Sequence, residues 1–209
     1  PFLVKEQKNL LLAREGENAE QIFDAIINLI MSVTDKKVDG KDLTMADLEY
    51  LFLQIRCKSI GETSKLGLIC QNQECLHNEE FTIDLSEVGV EQNDILDNKI
   101  YISDTMIVEL EYPSVEVIAQ VEEMSEADAI KPILRDCMIR IFDDEEIYEL
   151  KDFPDREIDN FVENLTIEQF EKVMSFFKST PILQKEIEWK CKKCGTENSF
   201  IARGLQNFF

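Results

Sequence analysis

Histidine is nearly absent: His77 stands alone in 209 residues. Imidazole is the commonest general acid or base near neutral pH, so chemistry built on several histidines is excluded. No run of about 18 apolar residues occurs, which excludes a membrane-spanning helix. The longest apolar stretch, FDAIINLIMSV, is broken by polar residues at helical spacing. Cations are scarce: 22 Lys and Arg face 43 Asp and Glu, for a net charge of −21. Such a chain repels phosphate backbones, which are bound through cationic side chains that release counterions. It is repelled by anionic membranes as well. Internal repeats, low-complexity tracts and Pro- or Gly-rich linkers are also missing, so one domain over 1–209 is expected. H-E-x-x-H, G-x-S-x-G and a Gly-rich phosphate loop do not occur, and no enzyme is expected. The chain starts at Pro1 without a methionine, as expected of a trimmed product.

What is present suits a globular protein with a real core: 44% of residues are hydrophobic and 31% charged. Acid is spread over the predicted helix surfaces and peaks at the DDEE run, residues 143–146. Its plain reading is a solubilising surface; its sharper reading is a face for a basic protein partner.

The periodicity predicts helices over residues 4–15, over the segment with Ile22, Ile26, Leu29, Ile30 and Val33 on one stripe, and from Met45 to before Gly61. The last buries Leu48, Leu51, Phe52 and Ile55. Period-two patterns then predict strands in KLGLIC and EEFTIDL, and a hairpin in KIYISDTMIVELEY with Asp104 and Thr105 near its turn. Helices follow from Ser114, from Glu126 through Phe142, in FPDREIDNFVENL, and after Thr166, whose pairing with Gln169 marks a capping box. ILQKEIEWKC and ENSFIARGL return to strand. The expected class is α+β, mainly helical, with two short β-hairpins joined as a split zinc ribbon.

That ribbon is read from cysteine. Of six cysteines, Cys57 and Cys137 stand in apolar helical contexts and read as small buried hydrophobes. The others form two pairs, Cys70 with Cys75 (C-x-x-x-x-C) and Cys191 with Cys194 (C-x-x-C), each flanked by strand pattern. Two thiolates from each hairpin make a closed four-cysteine site for structural zinc. Gly195 permits the positive φ of the knuckle. Cys191 lies 116 positions after Cys75. Closing so long a loop costs entropy only logarithmically, and structural zinc contributes on the order of 10 kcal/mol. Residues 66–85 and 183–209 would form the ribbon, with 113–181 a helical insertion. Four alternatives stay open: a redox C-x-x-C, a disulfide in an oxidising compartment, accidental pairing of the four cysteines, and His77 replacing Cys75 as ligand. A redox pair belongs at a helix N-terminus after a strand, whereas here Gly and strand pattern follow.

The stretches PFLVKEQKNLLLARE, LEYLFLQIRCKSIGE, the C-x-x-x-x-C followed by FTIDLSEV, and CKKCGTENSFIARGLQNFF resemble, in order and spacing, the baseplate hub assembly proteins of T-even-type tailed bacteriophages. The resemblance covers essentially the whole chain. It implies a non-enzymatic chaperone that builds the central baseplate hub in the cytoplasm of the infected bacterium, with a hub protein as partner. For members that stay in the particle it implies a place in the virion baseplate. The competing functions are a permanent structural subunit of the hub and a zinc-ribbon nucleic-acid-binding protein, which the charge of −21 opposes although WKCKKC is a local basic spot. The length suits the shorter, hub-subunit type. The family's paired cysteines fall on Cys70, Cys75, Cys191 and Cys194, and no catalytic residue carries over. A chaperone needs an apolar docking surface. The candidates are Phe208 and Phe209 in the tail and Phe176 and Phe177 in FEKVMSFFK; the competing reading packs all four into the chain's own core.

Overall fold

The computed structural model describes residues 19–91, 97–144 and 146–208. The helix expected over residues 4–15 lies outside this set, as does Phe209. Among the described residues there are six α-helices and nine strands, the strands arranged in three antiparallel sheets. The class is α+β, but the expectation of a mainly helical protein with two short hairpins is corrected. The chain divides into two compact units, one of residues 1–40, 46–91 and 181–209, the other of residues 41–45 and 92–180.

In the first unit, helix α1 (Ala19–Val33) buries Ile26, Ile27, Leu29 and Ile30. Val33, placed on the buried stripe by periodicity, is 37% exposed, because the chain leaves the helix there for a turn in which Asp35 and Lys36 take positive φ. Helix α2 (Met45–Ser59) buries Leu48 and Phe52 as expected, and also Ala46, Leu53 and Cys57. Leu51 and Ile55 are only half-buried. Strands β1 (Thr63–Ile69) and β2 (Asn78–Asp84) form one hairpin, with Thr63 opposite Asp84 and Ile69 opposite Asn78. Strand β3 (Gly89–Glu91) pairs with the start of β8 (Ile182–Lys190), which pairs with β9 (Glu197–Arg203) in the second hairpin. After a short 3-10 turn, Phe208 returns to the body, where its carbonyl accepts a bond from Ser64 Oγ at 2.6 Å.

The second unit is a four-stranded meander of β4 (Lys99–Tyr101), β5 (Ile107–Leu110), β6 (Met138–Phe142) and β7 (Ile147–Glu149). Its helices are α3 (Val115–Val121), α4 (Glu126–Cys137), α5 (Asp155–Glu163) and α6 (Ile167–Phe177). Local signals start them: Ser114, Ser125 and Thr166 each accept a backbone N–H as N-caps, and Thr166 with Gln169 completes the capping box. Val108, Leu110, Leu134, Met138, Ile141, Ile158, Val162, Val173 and Phe176 share one core.

The helix expected through Phe142 stops at Cys137, and the next five residues are strand β6. Met138 and Ile141 are both buried, a helix-like spacing of three. A β-bulge produces it. The register shifts between Glu109 and Leu110, so Leu110 faces Met138 while Glu109 faces Arg140, and Ile139 is the extra residue. The period of two is broken at that point and imitates a helical stripe.

Candidate metal centre

Both cysteine pairs sit on the turns of the first unit's two hairpins. Cys70 follows β1, and its N–H donates to the carbonyl of His77 at 2.8 Å, closing the first turn. Cys191 follows β8, and its N–H donates to the carbonyl of Thr196 at 2.8 Å, closing the second. The residue after the second cysteine of each pair takes positive φ: Leu76 at 43° and Gly195 at 74°. Glycine adopts that backbone freely, whereas leucine does so at a cost.

The four Sγ atoms of Cys70, Cys75, Cys191 and Cys194 all lie within 4.8 Å of one another. Cys70 and Cys194 approach to 3.6 Å, and Cys75 and Cys191 to 3.8 Å. A disulfide needs about 2.05 Å, so these are four free thiols. A tetrahedral thiolate site with metal–sulfur bonds of about 2.3 Å sets its sulfurs about 3.8 Å apart. The cage fits one such ion, and four ligands close its coordination shell. His77 contributes its carbonyl to the turn, and the clustered set holds Cys75, not its imidazole.

Burial pushes the Cys70 thiol up to about 11 and raises that of Cys75, while hydrogen bonding from Thr196 holds Cys194 down to about 6. A bound cation would release the protons of the raised pair, because the thiolate is the ligand.

The hairpins are locked by a pair of reciprocal side-chain bonds that cysteine spacing does not reveal. Asn198, 5% exposed on β9, accepts the N–H of Gln71, the residue after Cys70, at 2.8 Å. Its amide donates to the Thr196 carbonyl at 2.8 Å. Glu79, 6% exposed on β2, accepts the N–H of Lys192, the residue after Cys191, at 2.8 Å. The backbone bond from Lys192, with an ion pair of the other oxygen to Lys192 Nζ at 3.2 Å, holds its carboxyl below the ordinary range. Each hairpin thus sends one buried polar group to the first knuckle amide of the other. A sequence signal exists: Glu79 and Asn198 each stand four positions after the second cysteine of their pair. Phe81 and Trp189 add an apolar contact between the hairpins, with ring centroids 5.5 Å apart.

The aromatic candidates lie elsewhere. Phe208 is fully buried in the first unit. In the second, Phe176 is 2% exposed and stacks on Tyr112 with centroids 4.6 Å apart, and Phe177 packs half-buried against the same core. Cys57 and Cys137 are buried, as their apolar contexts predict. Among the described residues, no helix is long and apolar enough to cross a membrane.

No curated protein and no solved structure matches the chain. The family model for the T4 bacteriophage base plate protein matches residues 1–209, and the chain belongs to that family of phage baseplate proteins.

Proposed function

We propose that this baseplate protein is a non-enzymatic assembly chaperone for the central hub of a phage tail baseplate, binding a hub protein during assembly and stabilised by one structural zinc ion. The family match over the whole chain carries this reading. The cysteine cage supports the structural part. Four thiols surround one point, so a bound ion keeps no open position for substrate or water, as a catalytic zinc would. Zinc supplies a cross-link there, joining residues 66–85 to 183–209 as a split ribbon. Cys70, Cys75, Cys191 and Cys194 hold it. Residues 113–181 then form an insertion between the halves. Elemental mass spectrometry of the purified protein is expected to give one zinc per chain; a metal-free protein with free thiols would sink the zinc assignment.

The chaperone acts in the cytoplasm of the infected bacterium and contacts neither nucleic acid nor membrane, in keeping with its charge of −21. Affinity capture from infected cells is expected to recover a hub protein, and failure to recover any would overturn the assignment. A second reading, a permanent structural subunit of the hub, is favoured by the family's own description as a base plate protein. Quantitative mass spectrometry of purified virions separates the two: stoichiometric presence means a subunit, absence means a chaperone.

A further inference from the structure

The sheet of the second unit has one face against helices and one facing out, and the outward face breaks the usual pattern. Residues directly opposite across antiparallel strands share a face, and successive rows alternate faces. The row Ile100, Val108, Ile141 and Tyr148 is in register across all four strands and belongs to the core. The next row, Tyr101, Ile107, Phe142 and Ile147, is equally in register and therefore lies on the opposite face. An open sheet face normally carries polar side chains. Here four large apolar groups span the sheet, and the two at its edges, Tyr101 and Ile147, are 64% and 61% exposed. None of the four joins the core cluster.

The surroundings of this row have a definite sign. On the same face the neighbouring row is internally neutralised: Arg140 pairs with Glu109 at 3.0 Å and Glu149 at 2.5 Å, and Lys99 sits 4.9 Å over the Phe142 ring. Beyond the apolar row, both hairpin turns leave the sheet at one end, and they carry Asp104, Asp144 and Glu146, all exposed. An apolar strip with an acidic rim suits side chains that are apolar in the middle and cationic at the border. A second copy of this chain is a poor fit, because it would bring the same acidic rim and a net charge of −21 against its own kind. Strands β4 and β7 are three residues long, so added-strand pairing at the edges has little to hold.

We propose that the outer face of the β4–β7 sheet, with Tyr101 and Ile147 as its exposed anchors, docks a basic, apolar-faced segment of another baseplate protein. This rests on the partner-binding reading above and gives that partner its surface and its chemistry.

The test places the photo-crosslinking residue benzoylphenylalanine at Tyr101, at Ile147 and, as a control, at Ile167, an exposed residue at the start of α6. The full chain is expressed in phage-infected cells, and adducts are mapped by mass spectrometry. The expected result is capture of one Lys- or Arg-rich apolar segment of another baseplate protein from Tyr101 and Ile147. That segment, as a synthetic peptide, is expected to bind at least about tenfold more weakly to a Tyr101→Ser, Ile147→Ser double variant that melts like the parent. Adducts to a second copy, to residues 1–18 of the same chain, or to nothing would overturn the proposal. A baseplate protein captured only from Ile167 would overturn the surface while leaving the partner-binding reading in place.

Discussion

Single side chains set the stringency of the cysteine cage. Spacing finds the thiols, but Asn198 and Glu79 hold the backbone that aims them, each through one part-buried bond near 2.8 Å. Losing such an acceptor strands a partly desolvated N–H. Outer partners of metal ligands typically change affinity by about 10–100-fold. Asn198→Leu and Glu79→Leu are each expected to weaken binding of the proposed zinc by that order in competition with a chromogenic chelator. Glu79→Gln, which keeps an acceptor for the Lys192 amide, is expected to stay near the parent. A second residue-level expectation concerns acid. Arg135 grips Asp159 through bonds of 2.7 and 2.5 Å and holds its carboxyl below the usual range. A depressed carboxylate contributes stability that is present above its unfolded pKa, about 3.9, and is lost as pH falls through the lower folded value. Asp159→Asn is therefore expected to flatten the acid side of the stability–pH curve, read by thermal melts between about pH 2 and 5.

Individual helices and strands are legible where local chemistry fixes them. Thr166 and Gln169 satisfy each other's backbone amides at 3.2 and 2.9 Å, as the sequence pattern predicts. Thr166→Ala is expected to lower stability by about 1 kcal/mol, seen as a lower urea midpoint with an unchanged slope. Strand β6 is illegible for a specific reason. The bulge at Ile139 puts Met138 and Ile141 on one face three positions apart, and a spacing of three reads as helix. Short β7 follows the acidic turn and is equally hidden, since three residues carry too little pattern to register. Those two strands complete the third sheet, which makes the α+β protein less helical than expected.

At the level of the whole chain, all four clustered thiols belong to the first unit, and the second has its own core. Chelation of the purified protein is expected to strip amide protection from β1, β2, β8 and β9 in hydrogen exchange while leaving β5 and β6 protected. Cys191→Ser is expected to do the same without chelator. Uniform loss across both units would show that the second unit depends on the metal. Composition and order already carry the broadest conclusions: the deficit of cation and the absence of repeats follow from counting, and the family from motifs along the full length. Pair spacing marks Cys70, Cys75, Cys191 and Cys194, because ligand geometry at a knuckle is a local matter of turn length. Proximity across 116 positions, the exchange of bonds by Glu79 and Asn198, and the apolar row from Tyr101 to Ile147 were settled by folding. Each depends on strand register between distant segments, and register is a property of how chains pair, which no window of sequence contains.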